Sequence, residues 1–377
     1  MKAKTLDDFS FKGKRVIVRV DLNSEIIDGK VSLSERFLAP VKTIKELVKK
    51  KAKIVLLAHQ GRPGKDDYSN LEQHAKLLNK YVKLKFVPDV IGEKAVNAIK
   101  SLKDGEVLLL DNVRGLKEEF EPSKDNIMAK TLAPLFDYYV NDAFSNSHRN
   151  HTSMVTFAQM LPSCAGRDLE EELTSLEKIK IDDCLFILGG SKPEDNLLLL
   201  KNKNVITCGI FGQVCLISKG YNLGAQNEFL KDKLQYVPKI KESVEHVETP
   251  VDLAVKIDGK RKDLKLEEFP SKYEIFDIGP ETMKKYVEKI KNAKGIFWKG
   301  TAGYCEDEQF SVGTKTLLKA VTGSKAFSIL GGGHTTTALD RMKISKKKIG
   351  HISLSGGALV NYMAGEKLPA IEALQNV

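Results

Sequence analysis

The sequence predicts an α/β fold: two doubly wound, parallel-sheet, Rossmann-like domains joined by an interdomain helix. Three observations predict it. Short β-branched, apolar runs alternate with segments of helical period from end to end. Those runs are apolar on both faces, as strands are when helices cover a parallel sheet on both sides. The length of 377 residues also exceeds what one hydrophobic core usually spans.

Taken in order, the strands of the first half are RVIVRVDL, AKIVLLAHQ, EVLLLDN and DYYVND. Those of the second are CLFILGG, NVITCG, GIFWKG, AFSILGGG and HISLSGG. Between them, LAPVKTIKELVKK and GTKTLLKAV place apolar residues near a 3.6-residue period and read as helices. RDLEEELTSLEKI, at 167–179, is charged and strongly helical and suits a connection between domains. The expected division is therefore 1–160, a helix and hinge at 161–180, and 181–364.

Composition narrows the function. Hydrophobic residues make up 42% and charged residues 29%, as in ordinary soluble proteins. No apolar run approaches a membrane span, and the opening MKAKTLDDFSFKGKRV has no signal-peptide core, so a cytoplasmic protein with no membrane partner is expected. Five scattered cysteines have no metal-ligand spacing and read as small buried groups in a reducing compartment. The net charge of +10 is spread along the chain. Its densest run, KISKKKIG, reads as a solvated helix end and loop, so no nucleic-acid partner is expected. Positive potential also suits small polyanions.

The residues just past each strand separate two chemistries, because open α/β sheets bind ligands beyond the carboxyl ends of their strands. In the first half those ends carry Asp21 and Asn23, His59 and Arg62, Arg114, and Asn141 with Arg149. A single arginine there is usually a surface residue. Four of them, counting Arg36, beside imidazole and amide groups suit a compact polyanion. In the second half the strand ends carry Gly189 and Gly190, Gly300 and Gly303, Gly331 to Gly333, and Gly356 and Gly357. Bare backbone and helix N-termini suit a phosphate chain. Lys192 comes after a double glycine and precedes Pro193, where a proline fits a first helical turn; the lysine reads either as a surface residue near a helix cap or as a cation placed beside phosphates. The chain has no GxxxxGK[ST], and Gly331 and Gly333 lead to Thr336 rather than a third glycine, which disfavours both a P-loop and a dinucleotide dehydrogenase.

Together these segments resemble phosphoglycerate kinase over essentially the whole chain. The resemblance is carried by RVDLN, LLAHQGRP, LLLDNVRGLKEEF, YVNDAFSNSHRNHTS, LPSCAGRDLEEEL, PVD, DIGP, FWKGTAGYCEDEQFSVGTK and LGGGHTTTALD. It implies reversible phosphoryl transfer between 1,3-bisphosphoglycerate and ADP, giving 3-phosphoglycerate and ATP, with Mg²⁺ carried by the nucleotide and no metal ligands from the protein. It implies triose binding by the N-terminal domain through Asp21, Leu22, Asn23, Arg36, His59, Gln60, Gly61, Arg62, Arg114 and Arg149. It implies nucleotide binding by the C-terminal domain through Gly190, Lys192, Asn196, Gly209, Glu306, Gly332, Gly333, His334 and Thr335. Arg36, Lys192, Gly333 and Gly356 are the expected catalytic set, stabilising charge on the group in flight, with Gly332 and Gly357 sharing the task. The resemblance also implies a tail, 365–377, that returns to the N-terminal domain, and closure about the hinge to unite the ligands. A monomer is expected, with a dimer as the alternative.

Three positions depart from the family pattern. His334 stands where the family has a magnesium-contacting aspartate, and imidazole suits hard Mg²⁺ poorly. Asn196 replaces a lysine, and Lys299, in place of an asparagine, is the candidate to restore that charge. The departures are similar to those of archaeal members. The alternative function is a weakened relative that binds nucleotide or phosphoglycerate as a regulatory protein. The presence of both half-sites favours the kinase.

Overall fold

A computed structural model describes residues 3–375. They fall into two compact units, one holding the residues up to Thr174 together with those from Lys367 on, the other Ser175–Glu366. The division lies within the helix Arg167–Leu176.

The first unit contains β1 (Arg15–Val20), β2 (Ile26–Ile27), β3 (Lys30–Val31), β4 (Lys53–Leu57), β5 (Lys85–Val87), β6 (Val107–Leu110), β7 (Tyr138–Asp142) and β8 (Ser163–Ala165). Six of these form one wholly parallel sheet in the order β5-β6-β4-β1-β7-β8. The predicted two-faced burial holds, since β1, β4 and β6 are buried at nearly every position. The helix Val41–Lys49 buries Thr43, Ile44 and Leu47. The chain builds outward from β1 to one side, then returns to lay β7 on the other, so the switch point lies between β1 and β7. The closing helix Pro369–Gln375 buries Ala370, Ile371, Ala373 and Leu374, and the Ala370 N–H donates to the Ser147 carbonyl at 3.2 Å.

The second unit contains β9 (Cys184–Leu188), β10 (Val205–Thr207), β11 (Asp252–Ile257), β12 (Lys260–Lys265), β13 (Ile275–Ile278), β14 (Gly295–Lys299), β15 (Phe327–Gly331) and β16 (His351–Ser353). A parallel sheet runs β10-β9-β14-β15-β16, with its switch point between β9 and β14. The helices Pro280–Asn292 and Val312–Gly323 bury Tyr286, Ile290, Leu317 and Leu318 in a core with Trp298. Asp252 caps the first of them, its carboxylate accepting from the Glu281 and Thr282 N–H groups at 2.8 Å each.

A three-stranded antiparallel sheet, β12-β11-β13, stands outside the predicted parallel pattern. Its hairpin turns on Asp258 and Gly259, both at positive φ (47° and 76°), as a two-residue hairpin turn requires. All five cysteines are free and buried. No helix among the described residues is long and apolar enough to cross a membrane.

Candidate active site

In the first unit the polar groups collect beyond β1, β4 and β7. Asp21 is nearly buried: its Oδ1 accepts from the Asn23 N–H at 3.0 Å, its Oδ2 accepts from the Ser145 hydroxyl, and Arg36 Nε lies 3.9 Å away. Asn23 Oδ1 accepts from the Gly61 N–H at 2.8 Å, tying the β1 loop to the β4 loop.

Beneath them lies a residue that sequence reasoning passed over. Arg19, inside β1, is 1% exposed. Its Nε donates to Ser153 Oγ at 2.8 Å, and its Nη2 donates to His59 Nδ1 at 2.9 Å. Ser153 in turn donates through Oγ and N–H to the fully buried Glu119 carboxylate, at 2.7 and 2.9 Å. A guanidinium only donates, so His59 Nδ1 must be an acceptor and its proton must sit on Nε2. Burial, followed by the Arg19 and Arg114 charges, holds the His59 pKa well below its ordinary value. At neutral pH His59 is therefore a neutral N–H donor of fixed tautomer.

Arg114, 5% exposed, donates Nη1 to the Gly61 carbonyl at 2.6 Å, while its Nε is buried without a partner. Burial first, then the charges of Arg149 and Arg19, push its pKa down to about 10. Arg149 is lowered in the same way, by burial and then by Arg62 and Arg19, and its Nε is also buried without a partner. His148 is pushed to about 4 by burial and then by Arg149. Arg114 and Arg149 are cations held together against their mutual repulsion, and they suit an anion with more than one charge.

Of the other expected contacts, Leu22 and Gln60 direct their side chains into the fold and Gly61 serves packing. Leu22 is a core residue. The Gln60 carboxamide is fully engaged, accepting from the Ser24 N–H and His74 Nε2 and donating to the Ser24 and Asp67 carbonyls. A methyl group at Gly61 would lie 2.2 Å from the Asp67 oxygen, so this glycine serves close packing.

In the second unit the glycines sort into two kinds. A methyl group at Gly300 would lie 2.3 Å from the Gly189 carbonyl carbon, and one at Gly209 would lie 2.5 Å from the Thr301 oxygen. Together with Gly190 these pack the ends of β9 and β14 against each other. Gly333 and Gly356 differ, because a methyl group at either would meet nothing within 4 Å. Gly332, at φ 91°, turns the chain from β15 into the helix Gly333–Arg341, whose N–H groups open onto that space.

Thr335 is fully buried and bridges the turn: its hydroxyl accepts from the Gly300 N–H at 2.9 Å and donates to the Gly331 carbonyl at 3.2 Å. Asn196 is likewise buried, donating to the Gly189 carbonyl at 2.9 Å and leaving Oδ1 without a partner. Both residues brace the strand ends. Lys192 is exposed and has no ion-pair partner among the described residues. Lys299, its side chain 12% exposed, bonds to Asp195 at 2.8 Å, and its stem lies beside Gly332. Glu306 is exposed, 3.6 Å from Arg341. The His334 backbone belongs to the helix; its side chain lies outside the described residues.

Comparison with known proteins agrees with this geometry. The family model for phosphoglycerate kinase matches residues 6–366. The chain is 40% identical over 400 residues to the phosphoglycerate kinase of Methanothermus fervidus, covering 99% of this chain and 97% of that one. It is 41% identical over 397 residues to that of Saccharolobus solfataricus, covering 98% and 96%. Among solved structures, phosphoglycerate kinase from Pyrococcus horikoshii superposes with a TM-score of 0.85 at 37% identity, covering 98% of each chain. The Coxiella burnetii phosphoglycerate kinase gives 0.82 at 31% identity, covering 100% and 99%. This chain belongs to the phosphoglycerate kinase family.

Proposed function

We infer that this chain is a phosphoglycerate kinase. It moves a phosphoryl group reversibly from the acyl phosphate of 1,3-bisphosphoglycerate to ADP, leaving the 3-phosphoglycerate carboxylate and forming ATP. The observation that carries the reading is Arg114, buried and held at about 10 beside Arg149 and Arg19. A fold gains nothing from crowding guanidiniums in this way unless a polyanion completes them, and phosphoglycerate carries charge at both ends.

The individual roles are proposals. The first unit takes the triose, with Arg62, Arg114, Arg149 and the His59 Nε2–H as donors, and with Asp21, Asn23 and Arg36 at the β1 end. The second unit takes the nucleotide, with its phosphates on the N–H groups of Gly332, Gly333, Gly356 and Gly357. The transfer asks for in-line placement and charge stabilisation, without a protein nucleophile. Lys192 and Arg36 stabilise the group in flight, and Lys299 supplies the charge that Asn196 lacks. Closure brings the two ligands together and keeps water out. Mg²⁺ enters as part of the nucleotide substrate. Among the described residues the turn offers main-chain N–H groups and the Lys299 ammonium, itself paired with Asp195, and these donors fit phosphate oxygens. No group of three or more metal-ligating side chains occurs among the described residues.

An acceptor series tests the reading. With MgATP, 3-phosphoglycerate should be turned over, while glycerate, which lacks the phosphate, should be a poor acceptor, and Arg36→Ala should severely lower turnover of 3-phosphoglycerate. Equal turnover of both acceptors by the unaltered protein would contradict it.

A further inference from the structure

Near the nucleotide turn the second unit has a cavity of about 530 Å³, and it holds a feature that the phosphate-binding reading does not use. Phe229 and Tyr304 line it while remaining 53% and 50% exposed, so their rings are open to a flat ligand. Two glutamines, Gln213 and Gln226, line it as well, yet they are only 3% and 1% exposed. The cavity therefore has an aromatic mouth and an amide floor.

The orientation of both amides is fixed by one backbone group. The Ile275 N–H can only donate, and it meets Gln226 Oε1 at 2.8 Å. Gln226 must then present Nε2, which donates to Gln213 Oε1 at 2.7 Å. Gln213 in turn must present its own Nε2, for which no partner exists among the described residues. That N–H group is thus left free at the cavity to donate to an acceptor on a ligand.

The placement selects which part of a nucleotide meets it. Glu306 is exposed at the cavity and the phosphate turn begins at Gly332, so the ribose and phosphates lie on the open side. The edge of a purine farthest from its sugar, at C6 and N1, then reaches the floor. Adenine carries a donor at C6, its amino group, whereas guanine and hypoxanthine carry an acceptor, the 6-oxo group. Against a donor-only amide the oxo group is complementary and the amino group is not.

We propose that Gln213, oriented by Gln226, reads the purine 6-position and favours 6-oxopurine nucleotides over adenine nucleotides. The proposal rests on the nucleotide role assigned to this unit.

The test compares ITP and ATP as phosphoryl donors to 3-phosphoglycerate. The unaltered protein should use ITP with kcat/KM at least equal to that for ATP. Gln213→Leu should lower the ITP-to-ATP ratio about tenfold, the effect of one lost hydrogen bond. Gln213→Glu, which offers an acceptor in nearly the same shape, should lower it further. A ratio taken within one preparation does not depend on the fraction folded. A fall of threefold or more in both variants supports the proposal. A smaller change in either, or a wild type that favours ATP, overturns it. Absence of turnover with any nucleotide would instead refute the kinase reading, so the two failures are distinguishable.

Discussion

Replacing Arg114 by Met should weaken substrate binding without weakening the fold. In the free protein Arg114 is a buried cation among cations, with its pKa pushed down to about 10. A depressed pKa on a base means that the native state disfavours the charged form, so at neutral pH the charge opposes folding. At about 1.4 kcal/mol per pK unit the penalty is about 3 kcal/mol before solvent screening, and about 1–2 kcal/mol after it. Arg114→Met removes that penalty and loses the bond to the Gly61 carbonyl, worth about 1 kcal/mol. The net effect on the free protein lies between zero and about 1 kcal/mol of stabilisation. Bound substrate reverses the balance, because losing a charge-assisted hydrogen bond costs about 2–3 kcal/mol, or about 30- to 150-fold in affinity. The assay is thermal unfolding with and without 3-phosphoglycerate, alongside kcat/KM. The free variant should melt at or slightly above the wild-type temperature but lose most of the ligand-induced rise. A variant that melts well below wild type and keeps normal kinetics would show that Arg114 is structural, and the reasoning would fail.

The glycines, the lysines and the histidines each carry a further prediction. Gly300→Ala, whose methyl group would meet the Gly189 backbone at 2.3 Å, should destabilise the protein by several kcal/mol in a denaturant titration, whereas Gly333→Ala, which meets nothing within 4 Å, should leave the midpoint nearly unchanged. Lys192→Met should leave stability unaltered, since the side chain is exposed and unpaired, and lower kcat by about 10²-fold or more. Lys299→Met should also lower kcat; normal turnover would exclude it as the replacement for the missing lysine charge. His74 and His148 are both held at about 4, so the native state takes up fewer protons than the unfolded chain once pH falls below the ordinary histidine value of 6.5. Stability should therefore decline as pH falls from 6.5 to about 4 and be flat above it with respect to these groups. A stability profile level across pH 4–6.5 would contradict those shifts.

The two parallel sheets and the contrast between their strand ends were legible because buried parallel strands are apolar throughout and ligands gather at their carboxyl ends. Less visible was the direction in which each polar side chain turns. Arg19 was missed because one arginine inside an apolar strand gives no sign that it lies under the site; only the pairing of β1 with β4 and β7 brings it to His59 and Ser153. Gln60, Asn196 and Thr335 make hydrogen bonds to the surrounding backbone, and Gln60 to His74 as well, which spacing cannot reveal. The antiparallel sheet did leave a signal, the Asp258–Gly259 pair between two short strands. Gln213 left none, since its meaning depends on the backbone N–H of Ile275, far along the chain.

Following ³¹P NMR signals of the protein with MgATP, first alone and then with 3-phosphoglycerate, tests the central claim most directly. A cation-rich triose pocket and a main-chain phosphate cradle that act as one kinase predict stable ATP until the triose is added, then paired growth of acyl-phosphate and ADP signals. ATP that decays to inorganic phosphate without the triose, or a spectrum left unchanged by adding it, would contradict the account.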